Sequence, residues 1–250
     1  MACQPPPPPP CRHVETCTTG YTWNAIDCQC ELYGSPIIID VSGRGFDLTN
    51  ASGGVRFDIS GSGKSIQMGW TAPGADNAFL CLPDANGRCD DGKDLFGNFT
   101  LQPPSNTPNG FAALAVFDLP ASGGNGDGII DARDAIFSSL RLWIDASHDG
   151  ISQPEELHTL PSMGVHSISL DYKLSERTDQ YGNKFRYQAR VNPDEATDVG
   201  KVAYDVFFVT LPSASAKSLM PLPPSPADAQ KCPVPVPTKG GMLSTAGALR

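Results

Sequence analysis

Residues 125–156 read NGDGIIDARDAIFSSLRLWIDASHDGISQPEE. In the second half, Asp145, Ser147, Asp149, Gln153 and Glu156 stand at places 1, 3, 5, 9 and 12 of a twelve-residue loop, with Gly150 at place 6. That is the spacing with which an EF-hand-like loop wraps calcium: side-chain oxygens at alternate places, a backbone carbonyl at place 7 (Ile151), a glycine for the sharp turn and a two-oxygen carboxylate at the end. Ser152 departs from the pattern, because place 8 is ordinarily aliphatic. In the first half, Gly128 as place 6 puts Asn125 and Asp127 at places 3 and 5. Ile129 then offers the carbonyl, Ile130 is the aliphatic residue, and Asp131 and Asp134 are places 9 and 12. Place 1 falls on Gly123, which has no side-chain ligand. Asp118 precedes a Leu-Pro-Ala-Ser-Gly-Gly insert that can loop back and deliver its carboxylate. The plainer reading of both halves is a pair of Asp/Gly-rich surface turns.

Only residues 135–144 separate the two loops, too few for two helices, so a regular EF-hand pair is excluded and one short helix or turn must serve both. The fold therefore has to come from the flanks. Upstream, Ile37–Asp40 is a β-branched run, and Val55–Ile59 and Ser65–Trp70 alternate around a glycine-rich turn, which predicts a hairpin. Gly110–Asp118 holds good helix formers and predicts a short helix. Ala132–Leu140 is a second helix candidate, Leu140–Ile144 favours an extended segment, and Pro154–Leu160 reads as a short helix with proline in its first turn. Downstream, His166–Tyr172, Phe185–Val191 and Lys201–Thr210 predict an antiparallel meander packing one face on the short helices. The expected class is α+β: a strand-dominated antiparallel sheet, short helices flanking the loops, and a cysteine-rich N-terminal segment.

Composition sets the outer limits. The chain has 250 residues and a net charge of −9. That excess of acid argues against nucleic acid as a partner, since phosphate binding needs surplus Lys and Arg. Eight carboxylates and two arginines fall between 118 and 156, so this stretch alone carries −6. No run of about 18 apolar residues exists, which excludes a membrane-spanning helix. Of the 24 prolines, six form Pro5–Pro10 and eight lie from Pro212 to Pro237. Polyproline stretches stay extended and build no core. The organisation expected is a Pro/Cys-rich segment over 1–33, a main domain over 34–211 and a disordered Pro-rich tail over 212–250.

Eight cysteines, five of them within the first 30 residues, suggest disulfides and an oxidising compartment, because zinc-type paired spacings are absent. Cys81 and Cys89 flank Leu82–Arg88 and could close a disulfide around it; Cys232 would then tie the tail to the odd N-terminal set. No basic and apolar leader precedes Cys3, so an export signal is not visible. Three further segments look like worn loop copies. The one around Asp84, Asn86 and Asp90 lacks a first ligand. Those at Asp40–Gly45 and Asp58–Gly63 read as tight turns only.

The stretches IIIDVSGRGFDLT, GVRFDISGSG, DANGRCDDGKDLFGNF, NGFAALAVFD, the loop region quoted above and SISLDYKLSERTDQYGNKFRYQARV together resemble a bacterial family of secreted calcium-binding proteins related to haemolysin-type and RTX-associated proteins. The resemblance covers about residues 36–192. It implies calcium loops, an extracellular location and no catalysis, with Asp127, Asp131, Asp134, Asp145, Asp149 and Glu156 at ligand positions. Cys81, Cys89 and Leu82 depart from it. The function expected is therefore that of a calcium-binding structural or adhesion protein, with calcium ions and an extracellular protein or surface as partners. Two alternatives stand beside it. A dockerin-like docking module also uses such loops, but sets a helix after each. A hydrolase would use paired carboxylates, yet no motif with a mechanism accompanies them. His13, His148, His158 and His166 show no ligand spacing; His148 is expected to point outward from its loop.

Overall fold

The computed structural model describes residues 21–24, 29–193 and 202–211. In chain order the described elements are β1 (Tyr21–Asn24), β2 (Gln29–Leu32), β3 (Ile37–Asp40), β4 (Val55–Phe57), β5 (Ile66–Met68), β6 (Asn77–Cys81) and helix α1 (Gly110–Leu114). They continue with β7 (Ile129–Asp131), β8 (Arg141–Trp143), β9 (Leu157–Thr159), β10 (Ser167–Ser169), β11 (Lys173–Thr178), β12 (Lys184–Arg190) and β13 (Val202–Phe207). The α+β, strand-dominated expectation holds. Seven strands form one antiparallel sheet in the order β11-β12-β13-β3-β6-β8-β9, and β1-β2, β4-β5 and β7-β10 form separate antiparallel pairs. No helix among the described residues is long and apolar enough to cross a membrane. Most of the cysteine-rich segment, the tail 212–250 and any pairing of Cys232 lie outside the described residues.

The Ile37–Asp40 run becomes the central strand β3, buried along its whole length. Alternation sends Ile37 and Ile39 to one face and Ile38 to the other, and each face meets its own core. The first core joins Ala78, Leu80, Leu142, Tyr187 and Ala203 of the sheet to Phe111 and Leu114 of α1. The second joins Phe79, Trp143, Phe185 and Val206 to Trp70 and to Val55, Phe57 and Met68 of the β4–β5 hairpin. The sheet is thus covered on both faces, not the single face expected.

The short helix expected over Gly110–Asp118 forms as α1 followed by a 3-10 turn, Ala115–Phe117. Its start is capped by Asn109, whose Oδ1 accepts the Ala112 N–H at 2.9 Å. The helix expected over Ala132–Leu140 does not form; consecutive turns replace it. Asp134 is the reason: its carboxylate accepts the N–H groups of Asn125 and Asp131, which ties the start of the segment to the loop behind it. Pro154–Leu160 is a correction as well. Only Pro154–Glu156 makes a 3-10 turn, and Leu157 enters β9 against Trp143 of β8. The meander forms, but its outer strand is Lys173–Thr178 rather than His166–Tyr172. The latter contributes β10, which leaves the large sheet to pair with β7.

Candidate metal centre

The second loop grows out of β8. Trp143 is fully buried in the aromatic core, so the chain leaving it carries Asp145 inward, to 3% exposure. Four donors converge on that carboxylate. Ser147 Oγ (3.3 Å) and the Asp149 N–H (3.2 Å) reach Oδ1, while the Gly150 N–H (2.9 Å) and the indole N–H of Trp70 (2.7 Å) reach Oδ2. Gly150 turns with φ +72°, and a Cβ there would press on Val55 Cγ2 at 3.0 Å. Position and packing both call for glycine. The 3-10 turn opened by Pro154 brings Glu156 back, at 5% exposure. Its Oε1 accepts the Ser147 N–H at 2.9 Å and its Oε2 accepts the indole N–H of Trp143 at 3.1 Å. Ser147, Asp149 and Gln153 meet on the outer side: Gln153 Nε2 donates to Asp149 Oδ2 at 3.0 Å, and Gln153 Oε1 lies 3.4 Å from Ser147 Oγ as an alternative acceptor for its one proton. The Ile151 N–H donates to Asp149 Oδ1. All six expected ligand residues are therefore gathered in one turn. His148 does not point outward; its Nε2 lies 2.9 Å from the Gly53 carbonyl oxygen.

The first loop is built alike, with one substitution of chain position. The insert after Asp118 folds back as expected, and the buried Asp118 carboxylate accepts the N–H groups of Gly126 and Gly128, each at 3.0 Å. Gly124 lets the backbone pass so close that a Cβ would stand 2.1 Å from the Asp118 carbonyl carbon. Asp134 closes the far end, accepting from Asn125 and Asp131. Asp127 accepts the Ile129 N–H at 3.0 Å and Asn125 Nδ2 also at 3.0 Å. The two loops differ in charge. Arg133 binds Asp127 at 2.6 Å and Asp131 at 2.5 Å, and its guanidinium holds the Asp131 carboxyl below its usual range. Among the described residues, the remaining ion pairs are Arg44–Asp76 and Arg88–Asp90. Among the described residues no Lys or Arg pairs with Asp145, Asp149, Glu155 or Glu156.

Each loop is held at place 8 by a different neighbour. Ile130 pairs with Ile168 of β10. Ser152, fully buried, accepts the Cys89 N–H at 2.8 Å through its Oγ, which accounts for a hydroxyl where an aliphatic residue was expected. The loops do not pair with one another, as their spacing required. Among the described residues no three His, Cys, Asp or Glu side chains converge closely enough to hold a metal by themselves. The donors present are carboxylates, a hydroxyl, amides and carbonyls, all oxygen, the set that suits calcium and not zinc.

Three features around the core leave no signal in the sequence. Trp70 reaches Asp145 from 75 residues away, and nothing local signals it. The disulfide Cys81–Cys89 forms as considered, yet its seat on Ser152 was not foreseen. Asp205 stands in a strand that reads as apolar. Its Oδ2 accepts the Gly110 N–H at 2.9 Å, while Oδ1 has no hydrogen-bond partner among the described residues. Burial pushes its carboxyl up to about 7, against the opposing pull of the Gly110 N–H and of Arg186.

Residues 37–209 match the model of the SPM domain. The iron-regulated protein FrpA of Neisseria meningitidis serogroup C is 37% identical over 166 residues, covering 65% of this chain and 14% of FrpA. The chain thus spans a small fraction of that relative's length. The matched region takes in the whole seven-stranded sheet and both loops, well over half of the sequence, and the chain belongs to the SPM domain family.

Proposed function

We propose that this chain is a calcium-binding module whose principal site is the loop Asp145–Glu156, with Asp118–Asp134 as a second site. One observation carries the reading. Asp145 and Glu156 are both nearly buried, and neither has a cationic partner among the described residues. Burying a carboxylate without a counter-charge is costly, and neutral N–H donors recover only part of that cost. A divalent cation among oxygen donors offsets it. Calcium takes about six to eight oxygens, including hydroxyl, amide, carbonyl and water, so Ser147, Asp149, Gln153 and the Ile151 carbonyl complete the set.

In the first loop Arg133 already supplies positive charge, and an ion there has to displace it. That site is the weaker of the two. The resemblance to secreted calcium-binding proteins supports the same reading, and the Cys81–Cys89 bond is in keeping with an oxidising, extracellular setting. The role is structural or adhesive and not enzymatic. No α-helix follows either loop among the described residues, which favours this over a dockerin-like duplication. The test is near-ultraviolet circular dichroism of the chelator-stripped chain. Trp70 and Trp143 hydrogen-bond the two buried carboxylates, so calcium should change their bands and magnesium should change them less. Unchanged bands at millimolar calcium would rule out the second loop as a site.

A further inference from the structure

The loop that binds Ser152 is itself covalently closed. Cys81 ends β6, Cys89 follows eight residues later, and the bond between them confines Leu82–Arg88 to a short excursion. Within it, Asp84 Oδ1 accepts the N–H groups of Asn86 and Arg88, and the Asp84 N–H reaches the Arg88 carbonyl. The excursion ends by presenting the Cys89 N–H to Ser152 Oγ at 2.8 Å, with both residues fully buried. Ser152 lies between Ile151 and Gln153, two of the residues assigned to the ion, so its position fixes the middle of the ligand loop.

Resting on the calcium reading above, we propose that the Cys81–Cys89 disulfide tunes the calcium affinity of the Asp145–Glu156 loop, making this a redox-dependent calcium site. The oxidised bond holds the Cys89 N–H in place and so holds Ser152, which preorganises the loop. Reduction by a dithiol breaks the S–S bond; the protein gains two thiols as the dithiol becomes its own disulfide. The excursion is then free to move, and the buried Ser152 hydroxyl loses its donor. Linkage makes the coupling reciprocal: if the bond favours calcium, calcium must protect the bond.

Calorimetric titration of the full oxidised chain is compared with Cys81→Ala/Cys89→Ala and with Ser152→Ala. Both variants should bind calcium at the second loop at least about five-fold more weakly, the size expected for one buried hydrogen bond. The Asp118–Asp134 loop should be unchanged. Equal affinity in the wild type and Ser152→Ala overturns the proposal while leaving calcium binding intact. Absence of second-loop binding in the oxidised wild type overturns the calcium reading first and this inference with it. Should the double variant fail to fold, the wild type decides. The fraction of Cys81–Cys89 reduced at equilibrium in a dithiothreitol redox buffer, read by alkylation and peptide mass mapping, should fall in saturating calcium relative to chelator. Equal reduced fractions contradict the coupling.

Discussion

Glu156→Gln separates the role of this carboxylate in the fold from its role toward calcium. The side chain keeps its size and loses its charge. Glu156 accepts the Ser147 N–H on one oxygen and the Trp143 indole N–H on the other. A glutamine has a single acceptor oxygen, so one of those N–H groups would face an NH2. In chelator the variant loses a buried hydrogen bond to a charged acceptor, about 1.5–3 kcal/mol. Removal of a buried charge without a cationic partner offsets part of that. The net change without calcium should therefore be about 0–2 kcal/mol. Calcium at 100 times its dissociation constant adds about 2.7 kcal/mol to the wild type at this loop. For a chain of this size that is a rise of about 5–11 °C in melting temperature. The variant, without its two-oxygen ligand, should lose nearly all of that rise. The assay is differential scanning calorimetry of both proteins in chelator and in calcium. The reasoning fails if the calcium-induced rise is the same in the two proteins, whatever their melting temperatures in chelator.

Further outcomes follow from the same geometry. Asp118→Ala removes the acceptor of Gly126 and Gly128 and should abolish first-loop binding while sparing the second, which titration calorimetry can resolve. Arg133→Gln frees Asp127 and Asp131 from their ion pair and should strengthen calcium binding at the first loop; weaker or unchanged binding there would contradict the competition. Trp70→Phe keeps the aromatic bulk but withdraws the indole N–H from Asp145, and should cost about 1.5–3 kcal/mol in urea unfolding. Asp205 has a carboxyl raised to about 7 in the fold, against about 3.9 in the unfolded chain. The folded state therefore holds the proton more tightly, and stability from this group is greatest below pH ~4 and is lost as pH rises to ~7. Asp205→Asn should remove a decline of a few kcal/mol across that window; parallel pH profiles for the two proteins would refute the assignment.

What could be read from the sequence was what depends on local pattern. Ile37–Ile39 is a β-branched run, so an extended segment follows from composition; its central place in the sheet does not. The β4–β5 hairpin follows from alternation around a glycine turn. Gly128 and Gly150 fixed the loop frames, because only the left-handed turn at place 6 needs them. The failures were tertiary. Ala132–Leu140 has helical composition, yet Asp134 spends its carboxylate on the N–H groups of Asn125 and Asp131 and the segment breaks into turns. Lys173–Thr178 was passed over because KLSERT shows no buried face: it is an edge strand, with Leu174 72% exposed. Contacts across 63 to 75 residues, Cys89 to Ser152 and Trp70 to Asp145, leave no trace in spacing. They explain why the second loop is rooted in the aromatic core.

The most direct test of the account is a calcium titration of the chelator-stripped full chain by calorimetry, run beside Glu156→Gln. Calcium should bind the wild type saturably, in or tighter than the range of about 10⁻⁴–10⁻³ M expected of extracellular modules, and the stronger site should vanish in the variant. No saturable heat from the wild type up to several times that range, or an identical isotherm from Glu156→Gln, would contradict calcium binding at Asp145–Glu156.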